Sequence, residues 1–354
     1  MRPKSLLTVM AVLLVFAAGA WFARSSGLVP DVLTPTRTEP CSIEDPCRIR
    51  IAFAFTEEGR RAMTPATPEE LALVAPCVRS GADPALCLLR RVAQDDVAAL
   101  TTAFRRSGLI EERDGRASLS FEAQVVEEAI DGGPQMRIDI RSNHGAPPEF
   151  NRSLMNWLPD SRGLRRQAPE ANIAIVFSGL RGPAGECFAN SLASRGYVTS
   201  PACLLRGYHR KPVAAAHRIM ALHEVGHLFG AFHNDFGDPQ PCRDAARSGH
   251  STTACAWEQC KGRTCTREEL MFAKDAFCTL VGQYNYNRGP TGRSFCRAHE
   301  GGEDGTGWIY EYSHPGKCRT PGFEAFDCGD ATHDAVSAMR KRAPFVASRK
   351  AGRW

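Results

Sequence analysis

The sequence predicts an α+β fold: a twisted mixed sheet with helices packed on it, followed by a loop-rich remainder stapled by disulfides. Three observations carry this expectation. Between Arg48 and Gly230, segments of alternating or continuous apolar character are interspersed with segments spaced like helices. Asn172-Ile-Ala-Ile-Val-Phe177 is a continuous apolar run, as in a central strand covered on both faces. From Asp235 to Cys328 the sequence becomes loop-like and holds eight cysteines, the composition of a region held by cross-links more than by a core.

Taken in order, Arg2 and Lys4 precede an apolar run from Leu6 to Ala23, with Ala18-Gly-Ala20 as a small-residue cleavage site. Residues 1–23 therefore read as a secretory signal. The run is also nearly long enough to span a bilayer, so an uncleaved anchor attaching the chain to a membrane through residues 6–23 is the alternative. Residues 24–40, rich in Pro, Thr and Ser, read as a linker. Cys47 to Phe55 alternates and then turns apolar, as a strand does. Pro65 to Pro84 reads as loop. Val92, Val97, Leu100 and Phe104 mark a helix from Arg91 to Ser107, stopped by Gly108. Ala117 to Ile130 reads as a bent strand, and Met136 to Ile140 as a short one. Ser153 to Arg166 reads as a helix interrupted at Pro159. Short strands are expected at Cys187–Ser191 and Tyr197–Thr199. Pro212, at a favoured first-turn position, opens a helix that runs to Gly230.

The chain has 354 residues, 43% hydrophobic and 23% charged, with a formal charge of +5. Without the first 20 residues, 42 basic residues face 39 acidic ones, too small an excess for a nucleic-acid surface. Fourteen cysteines, all after position 40, imply up to seven disulfides and an oxidising compartment: secreted, periplasmic or at the cell envelope. Spacing does not fix connectivity. Sequence-near pairs such as Cys41 with Cys47, Cys77 with Cys87 and Cys187 with Cys203 are candidates. Cys255, Cys260 and Cys265 are a weak alternative as a second zinc site, being spaced more widely than a usual knuckle.

The most specific stretch is His223-Glu-Val-Gly-His-Leu-Phe-Gly-Ala-Phe-His233. His223 and His227 are four apart, so on a helix they leave one face one turn apart and can hold the same Zn²⁺. Glu224 lies beside them and can take a proton from a zinc-bound water. Gly230 can adopt positive φ, end the helix sharply and bring His233 back as a third ligand. Three protein ligands leave a fourth position open, the catalytic arrangement. HExxH alone arises by chance in roughly 2% of chains this long; the added Gly and His lower that to about one in twenty thousand. His217, six residues before His223, points to another side of the helix. Glu303 and Asp304, in Gly301–Gly307, are too few for a calcium loop, so calcium lacks support.

This extended motif resembles that of the metzincin family of zinc endopeptidases, and the chain is similar to secreted bacterial, reprolysin-like members. The resemblance implies a zincin-like catalytic domain over residues 41–354. An upper subdomain of about 48–230 would place sheet and helices above a zinc helix, with a lower subdomain of about 231–354. Ile49 to Gly59 resembles the family's first strand, and Asp330 to Lys350, with Val336, Met339 and Val346, its C-terminal helix. The implied activity is peptide-bond hydrolysis with one catalytic Zn²⁺ on His223, His227 and His233, Glu224 acting as base. A protein or peptide substrate would lie extended along the edge Cys187–Leu192. A zinc-binding, non-proteolytic adhesin or interaction module is the rival reading; an intact Glu224 argues against it.

Two departures from the family stand out. Asn234, followed by Asp235, takes the place after the third His where several subgroups carry an acidic residue. The methionine that forms an apolar floor beneath the histidines has two candidates. Leu270-Met-Phe-Ala273 offers Met271, 38 residues after His233. Gly307-Trp-Ile-Tyr-Glu-Tyr312 offers Tyr310 in the methionine's place and gives Tyr312 the role of oxyanion donor. A flexible thioether fits an irregular apolar floor better than a phenol, whose OH needs a partner, which favours Met271.

Overall fold

The computed structural model describes residues 39–65, 68–131, 161–178, 189–192, 196–199, 211–231, 258–260, 263–264, 277–281, 309–331 and 333–353. Residues 1–23, expected as signal or anchor, the expected strand at 136–140, the first part of the helix expected from Ser153, and Cys187 and Cys203 lie outside them. All described residues belong to the unit Thr38–Trp354.

The described strands are β1 (Cys47–Phe55), β2 (Glu112–Arg113), β3 (Arg116–Ala117), β4 (Leu119–Val125), β5 (Ile173–Phe177), β6 (Ala189–Leu192), β7 (Gly196–Thr199), β8 (Glu258–Cys260), β9 (Arg263–Thr264) and β10 (Phe277–Cys278). The helices are α1 (Glu57–Met63), α2 (Pro68–Arg79), α3 (Pro84–Arg106), α4 (Arg162–Gln167), α5 (Lys211–Leu228) and α6 (Ala335–Ser348). The main sheet has the order β4-β1-β5-β7-β6. Four strands run parallel, with Cys47 opposite Leu119 and Ile51 opposite Ile173. The edge strand β6 pairs antiparallel with β7, so the sheet is mixed.

β1 occupies the expected range and explains its own pattern. Its first residues alternate in burial, and Arg48 and Arg50 reach Glu122 on β4 at 3.0 and 3.4 Å. Its last five are all buried where it lies between β4 and β5 and meets α3 and α6. Asn172, just before β5, ties this layer together. Its Oδ1 accepts from the Arg50 N–H at 2.7 Å, and its amide donates to the Ala347 and Arg349 carbonyls at 2.7 and 2.6 Å.

One segment read as loop is a helix. Pro65 to Pro84 contains α2, with Pro68 at its first position and Pro76 inside it. An internal proline costs about 3 kcal/mol; α2 persists because it packs on α3 and is tied to it by the Cys77–Cys87 disulfide. Proline density masked a helix that tertiary contacts hold. α3 also starts earlier than the apolar spacing implied. Asp83 caps it by accepting from the Leu86 N–H at 2.9 Å, and Pro84 takes the first turn.

Cys41–Cys47 and Cys77–Cys87 are disulfides, as is Cys318–Cys328, and none of the described cysteines is free. Residues 309–331 are turns and bends held by the last of these disulfides and by a bridge between Lys317 and Asp327, the irregular character expected for the C-terminal part. Among the described residues no single helix is long and apolar enough to cross a membrane.

Candidate metal centre

α5 carries the motif. Ala221, Leu222, Val225, Leu228 and Phe229 are buried, and the helix packs on α3 and the edge strand β6. Phe229 and Tyr312 both stack edge-on against Phe104 of α3, at 5.1 and 5.4 Å between ring centres. This aromatic cluster fixes the helix from below.

The helix ends as the glycine implied. Gly230 has φ +92°. The Ala231 N–H bonds to the Gly226 carbonyl at 3.0 Å and the Gly230 N–H to the His227 carbonyl at 2.9 Å, which is a Schellman closure. Arg342 of α6 donates its Nε–H to the Leu228 carbonyl at 3.2 Å, and burial lowers its guanidinium pKa.

The closure also orients a ligand candidate. It places the Ala231 carbonyl 2.8 Å from His227 Nδ1, while His223 Nδ1 lies 3.0 Å from the Leu280 carbonyl. A carbonyl only accepts, so both Nδ1 atoms carry a proton, and in the neutral rings both Nε2 atoms present lone pairs. Those Nε2 atoms are 3.0 Å apart. Two lone pairs that close repel unless a proton or a cation sits between them. Two imidazoles on one tetrahedral Zn²⁺, at Zn–N distances of about 2.0–2.1 Å, would hold their nitrogens about 3.3 Å apart. The pair is therefore close to the spacing a shared ion requires. Fixing each ligand imidazole through its other nitrogen is the usual support for a metal-binding histidine. Desolvation lowers the pKa of His227, outweighing the opposite effect of its bond to Ala231, which favours the neutral, ligating form. Glu224, between the two on the same helix, is buried at 7% exposure.

His233 and Met271 lie outside the described residues, as do Cys255, Cys265, Glu303, Asp304 and the side chain of His217. Tyr310 is buried at 5% exposure. Tyr312, the oxyanion donor of the alternative alignment, is fully buried, and its hydroxyl donates to the Leu222 carbonyl at 2.6 Å. Burial raises its pKa well above the ordinary value. In this arrangement it braces α5.

One carboxylate oxygen of Glu311 and the sulfurs of Cys318 and Cys328 also gather within 4.8 Å, a donor set of the kind that can hold a metal ion. The sulfurs are bonded to each other, however, and thiolates are what a metal takes. The Glu311 carboxylate accepts from the Arg319 and Thr320 N–H groups, the Thr320 hydroxyl and His314 Nε2 at 2.7–3.0 Å. With the disulfide intact, this cluster is a structural anchor. Sequence reasoning missed it, as it missed Leu280 and Ala231: a backbone acceptor leaves no signature in residue type.

No family model matches the chain, and no curated protein matches it. One solved structure, described as "Structure of a chaperone-substrate complex", is similar over 86% of this chain at 14% identity with a TM-score of 0.43; the match spans 35% of that structure's own chain.

Proposed function

We propose that this chain is a secreted or envelope-anchored zinc metalloendopeptidase of the metzincin type. The observation that carries the reading is the pair of imidazoles on α5, their Nε2 atoms 3.0 Å apart and each Nδ1–H held by a backbone carbonyl. In this reading His223 and His227 hold Zn²⁺ through Nε2, and motif spacing supplies His233 as the third ligand. Bound there, the ion supplies Lewis acidity toward a peptide carbonyl and toward water. Glu224 takes the proton of the attacking water and delivers it to the leaving amine. Its neighbouring position on the helix suits a base that does not itself ligate. β6, the edge of the sheet, lies against α5 and offers main-chain groups to an extended peptide substrate. Export is supported by three disulfides among the described residues and by the apolar run at residues 6–23.

The test is zinc analysis of the purified protein together with digestion of a denatured peptide library, run beside Glu224→Ala. The expected outcome is about one zinc per chain in both proteins, with cleavage lowered about 10²-fold or more in the variant. Zinc in both proteins with no cleavage by either would instead favour a non-proteolytic binding module. Normal cleavage by the variant would refute the assignment of Glu224.

A further inference from the structure

We infer that Glu311 is a positioning residue for His223, acting through the backbone of Leu280. The metal part of this inference rests on the proposed zinc site; the geometry stands without it. Leu280 is a two-sided link: its carbonyl accepts from His223 Nδ1 at 3.0 Å, and its N–H donates to the Glu311 carbonyl at 3.0 Å. The orientation of the first imidazole is therefore only as firm as the backbone at Glu311. That backbone is fixed by the Glu311 side chain, whose carboxylate is fully buried. A buried carboxylate is costly unless satisfied, and this one receives Arg319 N–H, Thr320 N–H, Thr320 Oγ1–H and His314 Nε2. The loop that provides these donors is closed by Cys318–Cys328 and by the Cys318 N–H bond to the Phe326 carbonyl at 3.0 Å. On the other flank Tyr312 bonds through its N–H to Ser107 Oγ at 2.8 Å and through its hydroxyl to Leu222, the residue before His223. Glu311 thus sits where a rigid disulfide loop, the helix α3 and the support of the first ligand meet. His227 is held differently, by Ala231 within its own helix end, and does not depend on this link.

That difference gives the experiment its internal control. Histidine-labelled, metal-free protein is followed by the hydrogen exchange of the two imidazole Nδ1–H groups. Glu311→Gln puts an amide NH₂ against buried donors. It is expected to speed exchange at His223 about tenfold or more and to leave His227 unchanged. Thr320→Val, which removes only one hydroxyl donor, is expected to give the same pattern at about two- to threefold and remains informative if the Gln variant does not fold. Equal changes at both histidines, or none at His223 in the folded variants, would overturn the inference. A second measurement is chelator competition for zinc. Where the wild-type protein retains zinc, Glu311→Gln is expected to weaken it about tenfold, the lower end for changes behind a ligand; unchanged affinity would also overturn the inference. A wild-type protein that takes no zinc refutes the proposed function and leaves the exchange result to decide this one.

Discussion

Gly226 stands between Glu224 and His227, and replacing it with alanine tests whether the helix rests on a rigid floor. A Cβ built at Gly226 would lie 2.7 Å from Tyr312 Cε1 and 2.8 Å from Val281 Cγ2, against ordinary contacts of 3.4–4 Å. The added methyl therefore overlaps two groups by about 0.6 Å or more, far up the repulsive wall. Neither neighbour can give way cheaply. The Tyr312 ring is pinned by its hydroxyl on Leu222 and by Phe104 at 5.4 Å. Val281 is fully buried and follows Leu280, whose carbonyl holds His223. Overpacking of this kind costs about 1–3 kcal/mol, and relief by moving Val281 would draw the Leu280 carbonyl off its imidazole. Gly226→Ala is expected to lose that much stability in urea denaturation and to bind zinc more weakly than the wild type. Adding Val281→Ala should restore part of the zinc affinity by removing one of the two overlaps. A Gly226→Ala protein within about 0.5 kcal/mol of wild type, with unchanged zinc binding, would show that the floor yields and that the packing argument is wrong.

Two further predictions concern the histidines. His233→Ala is expected to weaken zinc binding more than His217→Ala, because the motif spacing assigns His233, and not His217, as the third ligand of the proposed site; equal zinc contents in the two variants would remove His233 from the ligand set. The lowered pKa of His227 predicts a pH dependence in the metal-free protein. The folded state disfavours the charged imidazole, so the stability that its neutrality contributes is complete above the unfolded value of about 6.5 and is lost as pH falls through the lower folded value. Denaturation of the metal-free protein at pH 7.5 and pH 5 should show this loss, and it should be smaller in His227→Gln. An equal loss in both would assign the dependence to other groups.

The sequence was most informative where chemistry and periodicity reside in side chains. The alternation in Arg48-Ile-Arg-Ile51 marked β1, because the exposed positions face Glu122 and the rest enter the core. The glycine at 230 marked the end of α5, because positive φ is cheap for that residue alone. The reading failed at α2, where proline content outweighed helical spacing and the stabilising partner, α3, follows only after the next turn. The role of Tyr312 in the packing was illegible for a related reason. Its local pattern does not name the partner of its hydroxyl, the Leu222 carbonyl, 90 residues away.

The imidazoles extend the same argument to function. Spacing alone places His223 and His227 on one face, but it does not determine which nitrogen of each ring points inward. That is decided by the Ala231 and Leu280 carbonyls. The first is local: the Schellman turn that Gly230 permits delivers it, so the motif encodes its own support for the second histidine. The second comes from a segment 57 residues downstream, held in turn by Glu311. A transplanted helix with the full motif would therefore keep the orientation of His227 and lose that of His223. In the proposed metal site the first histidine is therefore supported by the irregular, disulfide-closed C-terminal part and the second by the end of its own helix.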